Sequence, residues 1–133
     1  MEFDPQKGLD LLEKQLGKPY IFGYEVKLDD PDPKAFDCSE LVEWFFKQMG
    51  ADVPDGSWHQ YTQSNPVSDF KLFDLGFLLK NGKTPFHVFI RVSETEIIHA
   101  RGEQYGVTKD LVEQYVVRNK HLFSGWRRAR CLM

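Results

Sequence analysis

The chain has 133 residues, of which 41% are hydrophobic and 14% aromatic, and its formal net charge at pH 7 is −3. This length and composition predict one compact domain over residues 1–133 whose core needs no metal ion or disulfide. Acidic and basic residues are interspersed except for the arginines at 127–130, so we expect no nucleic-acid-binding surface.

The N-terminus and the hydropathy pattern predict no membrane insertion. No apolar run is long enough to span a bilayer, and residues 1–7 are polar where a signal peptide would be basic and then apolar. We therefore expect synthesis in the cytoplasm and export, if any, by another route. The two cysteines, Cys38 and Cys131, are expected to be free thiols, because no Cys-x-x-Cys pair is present and Cys131 lies almost at the C-terminus.

The first part of the chain predicts helices. Residues 5–16 have leucines at helical spacing, and the proline-containing acidic loop 28–34 follows. Residues 38–49 have a second apolar stripe at helical spacing, and Gly50 is the expected left-handed stop. A turn and a short helical or irregular piece then extend to about residue 63.

A cysteine begins the second predicted helix. Asp37 is the expected N-cap, and Glu40, three residues later, completes the pattern of a capping box. Cys38 is then the first helical residue, where the positive end of the helix dipole is expected to lower the thiol pKa and to supply a reactive thiolate. A small buried structural cysteine is the alternative, and this segment alone does not decide between the two.

The second part of the chain predicts an antiparallel sheet. Residues 86–92 alternate in polarity, residues 96–100 form another short apolar run, and the polar residues between them suit a hairpin. Residues 70–79 and 125–130 are weaker strand candidates, and 108–118 is either a short helix or another strand. Helices followed by an antiparallel sheet predict an α+β fold.

Two strand histidines are candidates to assist a cysteine nucleophile, which needs a base that can also protonate the leaving group. His87 lies on the face opposite Val88 and could project toward a helix packed across that face. His99, in the next strand, could orient the base by a hydrogen bond, although Glu96 or Glu103 could take the same part.

The remaining polar candidates are weaker. Tyr20 could donate a hydrogen bond to an oxyanion alongside the Cys38 backbone N–H, or it is a core aromatic. His59 and His121 lie in polar segments and are expected to be solvated. A zinc site on Cys38, His87 and His99 is the minor alternative to nucleophilic catalysis, because the spacing matches no zinc motif.

Several segments together resemble the NlpC-type cell-wall cysteine peptidases, which have a papain-like fold. The resemblance runs from about residue 9 to 130 in the family order. It rests on the segments Tyr20-Ile21-Phe22-Gly23, Phe36-Asp37-Cys38-Ser39, Val53-Pro54 with Ser57 and Gln60, Phe73-Asp74-Leu75, His87-Val88-Phe89-Ile90 and Ile97-Ile98-His99-Ala100.

The resemblance implies roles for these positions. Cys38 would be the nucleophile, His87 the base and His99 the residue that orients it. Oxyanion and substrate contacts would come from Tyr20, Asp37, Ser39 and Ser57. The family uses no cofactor and hydrolyses amide bonds in peptidoglycan stem peptides, often between D-glutamate and the diamino acid.

The sequence departs from the family pattern at three points. Glu40 and Phe89 stand where the family usually has glycine, and Gly23-Tyr24 stands where two glycines are common. We expect the larger side chains to reshape or narrow the cleft. The segment around Cys38, with His99-Ala100-Arg101-Gly102, is similar to cell-wall hydrolase domains of bacteriophages, which act in virion tails or as lysins.

The sequence therefore predicts a thiol-dependent peptidoglycan endopeptidase that acts at the bacterial cell wall, with virion tail proteins as further partners if it is tail-associated. Two alternatives stay open. One is a catalytically silent wall-binding or virion-structural domain whose cleft is blocked by Glu40 and Phe89. The other is a thiol amidase or acyltransferase that acts on another substrate.

Overall fold

A computed structural model describes residues 4–133, with α-helices and β-strands in the mixed order of an α+β fold. Residues 1–3, where the polar N-terminus begins, lie outside the described residues. The elements are α1 (Pro5–Glu13), α2 (Cys38–Gln48), α3 (Ser57–Thr62), β1 (Asn65–Val67), β2 (Leu75–Lys80), β3 (Thr84–Arg91), β4 (Glu96–Ala100), β5 (Val107–Leu111), α4 (Val112–Arg118), β6 (Phe123–Arg128) and a 3-10 turn (Arg130–Leu132).

The six strands form one antiparallel sheet in the order β1-β6-β2-β3-β4-β5. The predicted hairpin is confirmed as β3 and β4. The ambiguous stretch 108–118 contains both of its predicted forms, because β5 runs directly into α4. The short strand β1 was not predicted from the sequence.

The two long helices are close to their predicted bounds. Helix α1 ends at Glu13, about one turn earlier than predicted, and the chain then turns through residues 14–17. Helix α2 ends at Gln48, and Gly50 has the expected positive φ of 90°. Among residues 4–133, no helix combines the length and the apolar character that crossing a bilayer requires.

The sheet separates two groups of buried side chains. The main core lies on the α2 side and contains Leu41, Phe45, Val88 and Ile90. Phe89, between those two strand residues, belongs to a second cluster with Leu78, Ile97 and Tyr115. Because side chains alternate along a strand, the second cluster lies on the opposite face of the sheet, under α4.

A glycine makes room for Phe89, the fully buried aromatic side chain of the second cluster. Gly76 in β2 is the register partner of Phe89 in β3. A Cβ atom at residue 76 would lie 2.2 Å from Cε2 of Phe89. The Phe89 ring therefore lies over the Gly76 backbone, where no other residue would leave it space.

Candidate active site

The start of α2 places Cys38 as the sequence predicts. Asp37 is the N-cap, and its Oδ1 accepts hydrogen bonds from the Glu40 backbone N–H at 2.8 Å and from Ser39 Oγ at 3.3 Å. The predicted capping box is wrong in its second half. The Glu40 carboxylate accepts the backbone N–H of Val26 at 3.1 Å instead of reaching back to the N-cap. A neighbouring loop thus supplies a buried donor for this carboxylate.

The predicted lowering of the Cys38 pKa is wrong. The side chain is only 8% exposed, and burial raises its pKa to about 11. Hydrogen bonds from the backbone of Val88, Ser39 and Cys38 itself favour the thiolate, but they do not outweigh the loss of hydration. The resting group at neutral pH is therefore a thiol.

The Cys38 thiol lies against the backbone of strand β3, which carries the predicted base His87. The ladder between β3 and β4 consists of the pairs Ile90–Ile98 and Arg91–Ile97. Val88 lies beyond this ladder, and its backbone N–H donates to the Cys38 sulfur. The Cys38 sulfur is thus hydrogen-bonded to the backbone of the residue that follows His87 in the chain.

The two strand histidines are in direct contact, as predicted. His87 Nε2 and His99 Nδ1 are 2.7 Å apart, and His99 Nε2 lies 2.8 Å from Oδ2 of Asp110. The same carboxylate oxygen accepts a hydrogen bond from Thr108 Oγ1 at 2.9 Å, and Oδ1 accepts one from Arg101 Nη1 at 3.2 Å. These groups form one continuous chain of hydrogen bonds, which we call the histidine relay.

Sequence reasoning missed Asp110 and proposed Glu96 or Glu103 as alternatives to His99. A signal was available only in the pairing of β4 with β5, where His99 is the register partner of Thr108 and Ile97 of Asp110. Side chains two residues apart in a strand share one face, so Asp110 lies diagonally opposite His99.

His87 faces a helix packed across its side of the sheet, as expected, and that helix is α4. The ring of Tyr115 in α4 lies edge-on to His99 at 4.7 Å and is 6.2 Å from the ring of His87. Both histidines are buried, with exposed fractions of 7% and 1%.

Burial keeps both imidazoles neutral at neutral pH. The pKa of His87 lies well below 6.5 because the ring is desolvated and because His99 and Arg101 oppose a second positive charge. The pKa of His99 is also lowered by burial, although Asp110 partly opposes the shift. The resting pair is therefore a neutral thiol and a neutral base.

Tyr20 lies beside the thiol. Its backbone pairs with that of Phe36 in an isolated parallel β-bridge. Burial, together with the nearby Cys38 and Asp37, raises the pKa of the Tyr20 phenol to about 12. The phenol stays protonated and can donate a hydrogen bond. Ser57 lies against the strand that carries His87, because its Oγ donates to the carbonyl of Pro85 at 3.3 Å.

Glu40 and Phe89, which were expected to narrow the cleft, are directed into the protein. Phe89 is fully buried in the second cluster, and Glu40 is only 8% exposed. The carboxylates of Glu40, Glu43 and Asp55 lie within 4.8 Å of one another. Burial and this proximity raise the pKa of Glu40 to about 7.

The zinc alternative has no support in the geometry. Both ring nitrogens of His99 are taken up, one by His87 and the other by Asp110, so neither is available for a metal ion. His59 and His121 are exposed, as predicted, and lie outside the site.

Comparison with known proteins gives consistent matches. The sequence pattern described as the NlpC/P60 family matches residues 17–127. A probable endopeptidase of Corynebacterium glutamicum is 34% identical over 94 residues, which are 69% of this chain and 41% of that protein. The chain thus spans about two-fifths of the length of this curated relative.

Solved structures have the same fold. A Staphylococcus aureus protein described as similar to lipoprotein, NLP/P60 family, has a TM-score of 0.76 and 26% identity over 97% of this chain and 43% of that one. The NlpC/p60 domain of the peptidoglycan hydrolase SagA has a TM-score of 0.67 and 26% identity, over 84% of this chain and 92% of that domain. The peptidoglycan hydrolase RipB of Mycobacterium tuberculosis has a TM-score of 0.71 and 24% identity, over 93% of this chain and 63% of that one. The papain-like α+β fold predicted from the sequence is confirmed.

Proposed function

This chain belongs to the NlpC/P60 family, and we propose that it is a peptidoglycan hydrolase that cleaves stem peptides with Cys38 as nucleophile, His87 as base and His99 as the residue that orients the base. The observation that carries the proposal is the histidine relay, which ends at His87, together with the hydrogen bond from the backbone of the next residue, Val88, to the helix-start thiol of Cys38. The endopeptidase and peptidoglycan hydrolases among the similar proteins support the substrate class.

The reaction begins from the neutral pair. His87 takes the thiol proton as the Cys38 sulfur bonds to the scissile carbonyl carbon, so the thiolate forms only in the attack. The carbonyl oxygen becomes an oxyanion, which the Cys38 backbone N–H and the Tyr20 hydroxyl stabilise by hydrogen bonds. Asp37, Ser39 and Ser57 border the substrate.

The second half restores the enzyme. The proton on His87 moves to the leaving nitrogen as the carbon–nitrogen bond breaks and leaves a thioester on Cys38. His87 then deprotonates a water molecule that attacks the thioester carbon, and the sulfur regains a proton as the acid product departs. We propose the bond between D-glutamate and the diamino acid as the one cleaved, at the bacterial cell wall; a role in a phage tail or in lysis stays a prediction.

Digestion of purified peptidoglycan tests this proposal. We expect the protein to release new amino groups, and mass spectrometry of the fragments identifies the bond. Cys38→Ala should abolish the release while the far-ultraviolet circular dichroism spectrum stays unchanged. Cys131→Ala is the matched control, because this half-buried cysteine lies in the C-terminal turn, and it should retain activity. Full activity in Cys38→Ala would overturn the mechanism.

A wall-binding domain without catalysis is the second candidate, and the burial of the Cys38 thiol favours it. The blocked-cleft argument for this candidate is weakened, because Glu40 and Phe89 point into the protein. Co-sedimentation with insoluble peptidoglycan, without release of amino groups by the wild type, would support this candidate over hydrolysis. Release of amino groups only from a different substrate would favour a thiol amidase or acyltransferase.

A further inference from the structure

The carboxylate at the end of the histidine relay decides where the protons of the relay lie. An ionised carboxylate can only accept hydrogen bonds. Asp110 is held in that form by Arg101 at Oδ1 and by Thr108 at Oδ2. His99 must therefore carry its proton on Nε2, which is the nitrogen that faces Asp110.

The position of the proton on His99 determines the position of the proton on His87. A neutral imidazole carries one N–H and one lone pair, so His99 Nδ1 is an acceptor. Its partner at 2.7 Å, His87 Nε2, must then carry the proton and donate it. The remaining nitrogen of His87, Nδ1, has the lone pair that a general base needs.

We propose that Asp110, with Arg101 as its counter-ion, is a positioning residue that sets the tautomers of His99 and His87 and so places the basic lone pair on His87 Nδ1. The tautomer assignment follows from the hydrogen bonds between two neutral rings and an ionised carboxylate, and only its effect on catalysis rests on the proposed function. Asp110 acts through two rings and does not itself touch the reacting atoms.

Substitution of the Asp110 carboxylate by an amide is expected to reverse the tautomers of both histidines. In Asp110→Asn, the side-chain NH₂ can donate to His99 Nε2, and Arg101 keeps the amide oxygen turned toward itself. His99 would then carry its proton on Nδ1 and donate to His87 Nε2, which places the His87 proton on Nδ1. This tautomer cannot accept a proton from a thiol at that atom.

Nitrogen-15 NMR of the histidine rings tests the proposal without reference to activity. In the wild type near neutral pH, we expect both His87 and His99 to show a protonated Nε2 and an unprotonated Nδ1. In Asp110→Asn, we expect the protonated nitrogen to become Nδ1 in both rings. A wild-type spectrum with the proton of either ring on Nδ1 would overturn the proposal, whether or not the variant folds.

Kinetics supply the second reading. We expect kcat of Asp110→Asn to fall by about 100-fold or more, the lower end of what a general base contributes, with little change in KM. Asp110→Glu should restore the wild-type tautomers and part of kcat. Asp69→Asn is the matched control, because that carboxylate is exposed and pairs with Arg128 away from the relay.

The outcomes separate the two proposals. Reversed tautomers with unchanged kcat would show that Asp110 sets the tautomers but that His87 is not the base, which counts against the proposed function. Unchanged tautomers with reduced kcat would overturn the role of Asp110 and leave the proposed function standing.

Discussion

The two sides of the active site differ in how they hold charge. On the helix side, Cys38 and Tyr20 are both kept uncharged, because burial raises the pKa of the thiol to about 11 and that of the phenol to about 12. On the sheet side, the histidine relay ends in an ion pair between Asp110 and Arg101. In the resting site the Cys38 sulfur is therefore a neutral thiol, and His87 is a base held in a fixed orientation. The sulfur ionises only as it reacts.

The largest expected effect comes from removal of the base. His87→Gln should lower kcat for peptidoglycan cleavage by about 10²- to 10⁴-fold, because the thiol then has no proton acceptor. In this variant, the rate at which iodoacetamide alkylates the Cys38 thiol should change little, because burial and not a charged imidazole sets the thiol pKa. A large fall in both the alkylation rate and kcat would indicate a thiolate–imidazolium pair and contradict a neutral resting thiol.

The next effect concerns the packing beneath the histidines. Gly76→Ala should lower the free energy of unfolding by about 1–3 kcal/mol, because the added methyl group overlaps the Phe89 ring. Chemical denaturation measures this loss.

A double-mutant cycle identifies the cause. In a Phe89→Leu background, the smaller side chain leaves room for the methyl group, so Gly76→Ala should cost less than in the wild type. Equal costs in both backgrounds would contradict the proposed contact with Phe89.

The smallest effect is on the pH dependence of stability. The folded-state pKa of Glu40, about 7, lies above its usual value of 4.5. The contribution of Glu40 to the free energy of unfolding is therefore fully present below pH 4.5 and is lost as pH rises through 7. The buried histidines act in the opposite direction, because their lowered pKa values cost stability as pH falls below 6.5.

The variant Glu40→Gln separates the effect of Glu40 on stability from that of the buried histidines. The variant should gain stability relative to the wild type as pH rises from 5 to 8, because only the wild type must ionise a buried carboxylate over that range. Urea denaturation at each pH measures the difference. A difference that stays constant with pH would contradict the raised pKa of Glu40.

Local patterns in the sequence predict the elements that carry the site, but not their electrostatics. The N-cap Asp37 and the apolar stripe after it are enough to place Cys38 at a helix start, and the polarity alternation is enough to place His87 and His99 in a hairpin. The helix-dipole argument then fails for Cys38, because desolvation depends on what the rest of the chain packs over the thiol.

Asp110 could not be predicted for a related reason. Its role depends on the β4–β5 register, which pairs residues 7 to 15 positions apart and is not encoded in either strand alone. Phe89 gives the converse lesson. Its size suggested a narrowed cleft, whereas its register partner Gly76 makes room for it inside the protein.

The pH dependence of Cys38 alkylation in the free protein tests the central claim most directly. The Cys131→Ser variant removes the competing thiol, and mass spectrometry assigns the label. A neutral resting thiol predicts a rate that is still rising with pH well above the ordinary cysteine pKa of about 8.5, toward a pKa near 11. A rate that reaches its plateau at or below neutral pH would show a stored thiolate and contradict the account.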